Sequence, residues 1–414
     1  MAFMNRRVVI TGLGAITPLG VSLFEIENSL KESRSGVKAI TLCDTRDMPV
    51  TFAGEARGFV PENFLETKEI RRNDRFIQMC LAASDLAVKD SGIGPEPLKR
   101  AGVAIGVGLG GLYTIEEASV TLANSGAKKI SPFLIPSILS NLASGQVSIR
   151  FGAKGPNFAI SSACASGSQA IGHAYREIQS GRRDVWIAGG AEAPISTLSI
   201  AGFAAARALS KRNDDPIAAS RPFDQGRDGF VLGEGAGTVV VESLDSALAR
   251  DAKIYAEIVG FGIASDAHHI TEPHPRGEGA FLAMEEAIED AGIRAMAINY
   301  VNAHATSTSL GDHIEGIAMQ RIFKTELKST LVSSTKSLMG HACGAAGAIE
   351  AIFCSLMLDR EFIAPAFNLE NISEEFTFQS PSAVHLKYKA DLIMNNSFGF
   401  GGVNTSMILK RFEQ

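Results

Sequence analysis

The stretch AVKDSGI at residues 87–93 returns as AIEDAGI at residues 287–293, an offset of 200 positions. Each copy ends a helical pattern and leads into an extended run, GVAIGVGLGG after the first and NYVNAHATST after the second. A repeat of this kind predicts two similar α/β halves packed together, with loops from both converging on one site. A single echo this short also arises by chance, so the fold has to decide between duplication and coincidence. The rest of the chain alternates in the same way. RRVVITG, GVAIGVG, NFAISS, DVWIAGG and GTVVVES read as strands of the first part, and NYVNAHA, TLVSSTK, VHLKYK, DLIMNNSFG and TSMILKRF as strands of the second. Short β-branched runs between helical patterns predict strands buried on both faces. Between them, DRFIQMCLAASDLAVKDSG places Phe76, Met79, Ala83 and Leu86 on one helical face and stops at Gly92, a C-cap.

Composition narrows the function classes. With 414 residues, 45% hydrophobic and 20% charged, the chain holds one large core or two fused domains. No apolar run approaches the ~20 residues of a membrane helix, and the opening MAFMNRRVVITGLGAITPLG lacks the continuous apolar core of a signal peptide. The cytoplasm, or an organelle after loss of a transit peptide, is the expected location. Five cysteines, at 43, 80, 164, 343 and 354, include no C-x-x-C pair, which predicts reduced thiols rather than a disulfide framework or zinc ribbon. A net charge of −6 gives no general attraction for nucleic acid. Neither nucleic acid nor membrane is expected as a partner.

Cys164 lies in ISSACASGSQAIGHA, where a helix begins among serines, alanines and glycines. Small neighbours leave the sulfur uncrowded, and the positive end of the helix with its free N–H groups favours a thiolate of lowered pKa. The alternative is plain packing, since free cysteine is among the most buried residue types. Cys343, in GHACGAAGAIE, reads as packing for the same reason. GVGLGG matches G-x-G-x-x-G from position 106 to 111, but the acidic residue a dinucleotide site needs ~20 positions later is missing. His268, His269 and His274 in SDAHHITEPH match no familiar ligand spacing, so no metal is expected there. His304 in NAHATSTSLGD follows a strand, and His341 in SSTKSLMGHACGAAGAIEA stands at a Gly-rich entry to a helix. A lone histidine is most often a satisfied structural residue. Three strand-to-helix turns carrying Cys, His and His point instead to the open end of a parallel sheet, where such folds bind ligands.

Six motifs in this order resemble the β-ketoacyl-acyl-carrier-protein synthases, of the synthase II type of dissociated fatty acid synthesis. They are VVITGLGAITPLG, ACASG around Cys164, RPFDQGRDGFVLGEGAG at 221–237, NAHATSTSLGD at 302–312, SSTKSLMGHACGAAGAIE at 333–350 and NNSFGFGGVN at 395–404. The resemblance covers essentially the whole chain. It implies an α/β, thiolase-like fold of two related halves in a five-layered αβαβα arrangement, normally a homodimer. Residues 1–250 would form the half carrying the nucleophile, and residues 251–414 the half carrying the two histidines.

By the same resemblance, Cys164 takes an acyl group from acyl-carrier protein. Malonyl-carrier protein then loses CO2, and its enolate attacks the acyl-cysteine to give a 3-oxoacyl product. No cofactor is implied. Backbone N–H groups of Cys164 and Phe400 would hold the oxyanion, with Phe400 and Phe398 in the gating loop. His304 and His341 would donate from Nε2 to the enolate oxygen. Lys336 and Glu350 would form a buried ion pair that orients the His341 loop and tunes nearby charge, although a purely structural pair is an equal alternative. Thr306 and Thr308 would bond the pantetheine arm, with Thr271 also on the substrate, unless the hydroxyls bond local backbone. Leu109 would set the depth of the acyl pocket, or simply pack. Lys68, Arg71, Arg72 and Arg207 would dock the acidic carrier protein, or be ordinary solvated charge. Ala305, Met339 and Phe223 depart from the usual Gly, Thr and Trp. Alternatives within and beyond the family are a synthase I, a polyketide condensing subunit, a non-catalytic chain-length factor and a Cys-His hydrolase.

Overall fold

The computed structural model describes residues 6–413. Its strands are β1 (Val8–Ile16), β2 (Val37–Ala39), β3 (Phe52–Gly54), β4 (Gly102–Gly106), β5 (Asn157–Ile160), β6 (Val185–Glu192), β7 (Gly235–Ser243), β8 (Ala256–Ser265), β9 (Tyr300–Asn302), β10 (Leu331–Ser333), β11 (Leu392–Gly399) and β12 (Val403–Lys410). β2 and β3 form a small ribbon of their own, while the other ten follow the order β10-β9-β11-β12-β8-β1-β7-β6-β4-β5. The seam is short: β1 pairs with β8 only through residues 8–10. Read outward from it, the two sides match strand for strand. β7 lies antiparallel to β1 as β12 does to β8, and β6 antiparallel to β7 as β11 does to β12. β4 and then β5 continue parallel, as β9 and then β10 do. The echo in the sequence is therefore a duplication.

The repeated helices show how closely the copies agree. Arg75–Ser91, capped by the Asp74 carboxylate on Phe76 N–H, packs on β1 and β7, and Glu278–Ala291 packs on β8 and β12. Both end on a left-handed glycine, Gly92 at φ 62° and Gly292 at φ 63°. A Cβ on Gly12 or Gly14 of β1 would stand 2.3 or 2.0 Å from the carbonyls of Ala87 and Ala83, and one on Gly260 or Gly262 of β8 would stand 2.2 or 2.0 Å from those of Ala287 and Ala283. Helix and strand touch backbone to backbone in each copy, which leaves no room for any side chain.

Two further helices fill the middle. Ser166–Gln179 packs on β4 and β6 from one side and β8 and β12 from the other, and Ala346–Asp359 packs on β6, β7, β11 and β12 and on Ser166–Gln179. Residues 346–358 are buried on every side; all are apolar or small except Glu350, whose charge is met by Lys336. Outer helices, sheet, central helices, sheet and outer helices make the five-layered αβαβα fold.

One local expectation needs correction, and two further features went unread. VHLKYK is not a strand, because residues 383–387 form a 3-10 turn. His385 Nδ1 accepts the Ser382 N–H at 3.0 Å, and His385 N–H returns to Ser382 O at 2.9 Å, a local closure that replaces a sheet partner. β8, a central strand, is not legible in the sequence because Gly260 and Gly262 interrupt its β-branched pattern. The β2–β3 ribbon is likewise too short to read.

Candidate active site

The nucleophile turn is built from small residues under strain. Ala163 takes φ 49°, a conformation that tips Cys164 out between β5 and the Ser166–Gln179 helix. The turn is held by Ser162 N–H on Ser166 Oγ at 2.9 Å and by Ser166 Oγ on Ala163 O at 2.6 Å. Cys164 thus stands just ahead of a helix N-terminus. Its thiol is nevertheless pushed up to about 12. Burial is the main cause and the Glu192 charge adds to it, while the Lys336 charge and the backbone N–H groups of Phe400 and Cys164 pull the other way. Burial thus raises a thiol for which the helix start predicts lowering.

His341 Nε2 lies 3.0 Å from Cys164 Sγ. Its backbone is clamped by His341 N–H on Val231 O at 2.7 Å and Gly233 N–H on His341 O at 2.9 Å, so the ring arrives from a fixed position. His304 stands edge-on beside it, with ring centroids 5.5 Å apart. Burial and the Lys336 charge hold both imidazoles well below the usual histidine range, which keeps them neutral. Neither Nδ1 meets a hydrogen-bond partner among the described residues, so no protein group fixes a proton there. Lys336 Nζ and Glu350 Oε1 form a fully buried ion pair at 2.6 Å.

A cavity of about 410 Å³ joins Cys164, His304 and His341 to the surface. Leu109, Cys164, Thr271, His304, Thr306, Thr308, His341, Phe398 and Phe400 all line it, with Cys343 among them. Thr306 and Thr308 bond each other through their hydroxyls at 3.2 Å. Phe400 is exposed on the β11–β12 turn, ahead of Gly401 and Gly402 at φ 83° and 76°. That turn rests on the nucleophile turn, where a Cβ on Gly399 would come within 2.4 Å of Ser162 O. Lys336 and Glu350 do not line the cavity. Nor do Lys68, Arg71 and Arg72, which are exposed in and just after the short helix Thr67–Ile70, while exposed Arg207 sits between the lining residues Ala206 and Ala208.

The departures are accommodated by packing. Ala305 is buried with ordinary negative φ, whereas Ser307 at φ 74° and Phe223 at φ 64° take left-handed backbone. Phe223 sits edge-on to Phe376 and Phe378 at 5.0 and 4.9 Å, and Met339 is fully buried. His268 and His274 stack edge-to-face, and His269 Nδ1 accepts backbone N–H groups of its own loop.

Residues 5–247 match the model of the beta-ketoacyl synthase N-terminal domain and residues 255–370 that of the C-terminal domain. The chain belongs to the beta-ketoacyl synthase family. This synthase is 47% identical over 409 residues to 3-oxoacyl-[acyl-carrier-protein] synthase 2 of Coxiella burnetii, covering 98% of this chain and 99% of the relative. The structure of a beta-ketoacyl synthase from Burkholderia phymatum is 39% identical with a TM-score of 0.90, covering 99% of this chain and 100% of that one. A chain of a type II PKS acyl-carrier protein in complex with its ketosynthase bound to the hexaketide is 29% identical with a TM-score of 0.91, covering 99% and 100%.

The synthase also uses buried carboxylates that no motif reading picked out. Glu315 accepts His304 N–H at 2.9 Å, Ala305 N–H at 2.7 Å and the Asn396 amide at 3.1 Å, fixing the backbone that carries His304. Asp312, inside the quoted NAHATSTSLGD motif, accepts Phe223 N–H at 2.9 Å and Ser307 N–H at 3.1 Å, so it holds the strained residue between Thr306 and Thr308. Burial raises both carboxyls, Asp312 to about 7. The only trace of such residues in the sequence is an acid that ends the NAHATSTSLGD motif and a second three positions beyond it.

Proposed function

We propose that this synthase elongates acyl chains, condensing an acyl group on Cys164 with malonyl-carrier protein to give 3-oxoacyl-carrier protein. The contact between Cys164 Sγ and His341 Nε2, with neutral His304 beside it in one cavity, carries the reading. Cys164 sulfur attacks the thioester carbonyl, the carrier thiol leaves, and the thiol proton lost by Cys164 is balanced by the one the carrier takes up. Malonyl-carrier protein then breaks its bond to CO2. The enolate oxygen receives hydrogen bonds from His304 and His341 through Nε2, which neutral imidazoles supply without adding charge. The enolate carbon bonds to the acyl carbonyl, whose oxyanion meets the N–H groups of Cys164 and Phe400, and collapse releases Cys164 as thiolate to be reprotonated. Lys336 and Glu350 tune the field behind the histidines. The reaction as written needs no cofactor.

Thr306, Thr308 and Thr271 serve the pantetheine arm, Leu109 limits the acyl chain, and Phe398 and Phe400 gate entry. Lys68, Arg71, Arg72 and Arg207 supply the positive surface that a net-negative enzyme needs for an acidic carrier protein. The partner of a second, equal kind is another copy of this chain. Its support is an asymmetry: edge strand β10 is fully buried, whereas the opposite edge β5 is open. Near it in sequence, the helix Leu112–Ser125 has no buried residue, and Ile135, Val120 and Leu122 are more than half exposed at 60%, 55% and 52%. We divide the duplicated halves at residues 250 and 251. No helix among the described residues is long and apolar enough to cross a membrane, and the cytoplasm is the proposed location.

The test is intact mass after incubation with a long-chain acyl-carrier protein and no malonyl donor. Wild type should gain one acyl group and Cys164→Ala none. Labelling of both proteins, or of neither, would sink the assignment.

A further inference from the structure

Glu192 is the last residue of β6, fully buried, and does not line the cavity. Its Oε2 accepts the N–H groups of Gly108 at 2.8 Å and Gly344 at 3.0 Å, and its Oε1 accepts those of Leu109 and Gly110, each at 3.0 Å. Residues 108–110 form the turn after β4 that carries Leu109. Gly344 lies three positions beyond His341. One carboxylate therefore ties the wall of the acyl pocket to the turn that delivers a histidine to the thiol. The glycines make this possible: a Cβ on Gly108 would lie 2.7 Å from Glu192 Oε2, and one on Gly344 would lie 2.6 Å from the same oxygen and 2.4 Å from Gly108 N. Gly108 also backs onto the nucleophile turn, with Ala163 O only 3.5 Å from its Cβ position. This is the G-x-G-x-x-G stretch. Its convergent N–H groups cradle an anion, as such turns do, but the anion is a side chain of the protein itself.

We propose that Glu192 is a positioning residue that couples the Leu109 turn to the His341 turn, so that acceptance of a long acyl chain and placement of His341 against Cys164 are set together. The inference rests on the reading of Leu109 as the limit of the acyl pocket. Four N–H bonds to one carboxylate are charge-assisted and hold both turns at once. An amide of the same shape must turn its NH2 toward two N–H donors, which breaks one side of the clamp and leaves the other.

Glu192→Gln, Glu192→Asp and Leu109→Ala, each in the full chain, are to be compared with wild type on short and long saturated acyl-carrier proteins. Glu192→Gln should lose roughly ten- to a hundredfold in kcat for a misplaced catalytic group, with KM for malonyl-carrier protein little changed. Its ratio of long- to short-chain acylation should shift in the same direction as in Leu109→Ala, and Glu192→Asp, which keeps the charge, should recover part of the loss. An unchanged ratio in Leu109→Ala overturns the pocket reading and the proposal with it. A shifted ratio there, beside wild-type kcat and ratio in Glu192→Gln, overturns the coupling alone. If Glu192→Gln does not fold, hydrogen exchange of wild type decides. Acylation with a long chain should speed exchange in residues 107–111 and 342–345 together, and a change confined to the first segment overturns the proposal.

Discussion

At the scale of single residues, Cys164 illustrates two opposed effects on one thiol. The helix start and the Phe400 N–H favour the thiolate, but enclosure in the cavity wins and holds the group near 12 in the free protein. The thiolate is the reactive form, and below the pKa its fraction grows about tenfold with each pH unit. Alkylation of Cys164 by iodoacetamide, corrected with Cys164→Ala, should therefore climb steadily from about pH 7 to about pH 10 without levelling. A plateau near neutrality would show the helix terminus prevailing. The position of Cys164, His304 and His341 was legible because each sits in a run of small or polar residues, the first two just past a strand and His341 just past the short helix Lys336–Met339. Glu192 was not, because its partners lie 82 to 152 positions away and are backbone groups that carry no sequence signature.

Secondary elements were legible where their period stood clear of other constraints. Arg75–Ser91 has an apolar face, an Asp74 cap and a Gly92 stop, so its limits follow from local chemistry. β8 escaped detection because its glycines answer to a neighbour, the helix Glu278–Ala291, rather than to strand propensity. The same contact predicts the effect of substitution. Gly14→Ala and Gly262→Ala should each destabilise the protein by about 1–3 kcal/mol, since a methyl group has to force helix and strand apart. Thermal melting reads the loss, and melting at the wild-type temperature in either variant would show that the helix slides freely on its strand. Equal losses in the two variants are expected from the duplicated geometry.

For the molecule as a whole, charge distribution matters more than net charge. At −6 overall, the synthase repels an acidic partner on average and attracts it only through a local patch. Arg71 and Arg72 are exposed, and the Arg72 guanidinium lies 4.7 Å over the Phe133 ring. Reversing both charges, as Arg71→Glu with Arg72→Glu, should weaken carrier-protein binding and flatten its dependence on salt. Titration calorimetry at two ionic strengths measures both effects. Binding equal to wild type at low salt would place the docking surface elsewhere.

The sequence by itself determined the alternation of elements and the small-residue runs that carry Cys164, His304 and His341. These are local: periodicity, caps and small-residue turns act over a few positions and leave their mark there. Tertiary structure decided that burial raises the Cys164 thiol, that His341 rather than His304 touches it, and that Glu192, Asp312 and Glu315 hold the turns in place. Each of those outcomes depends on burial or on N–H groups supplied by distant segments, and neither quantity exists until the layers have packed.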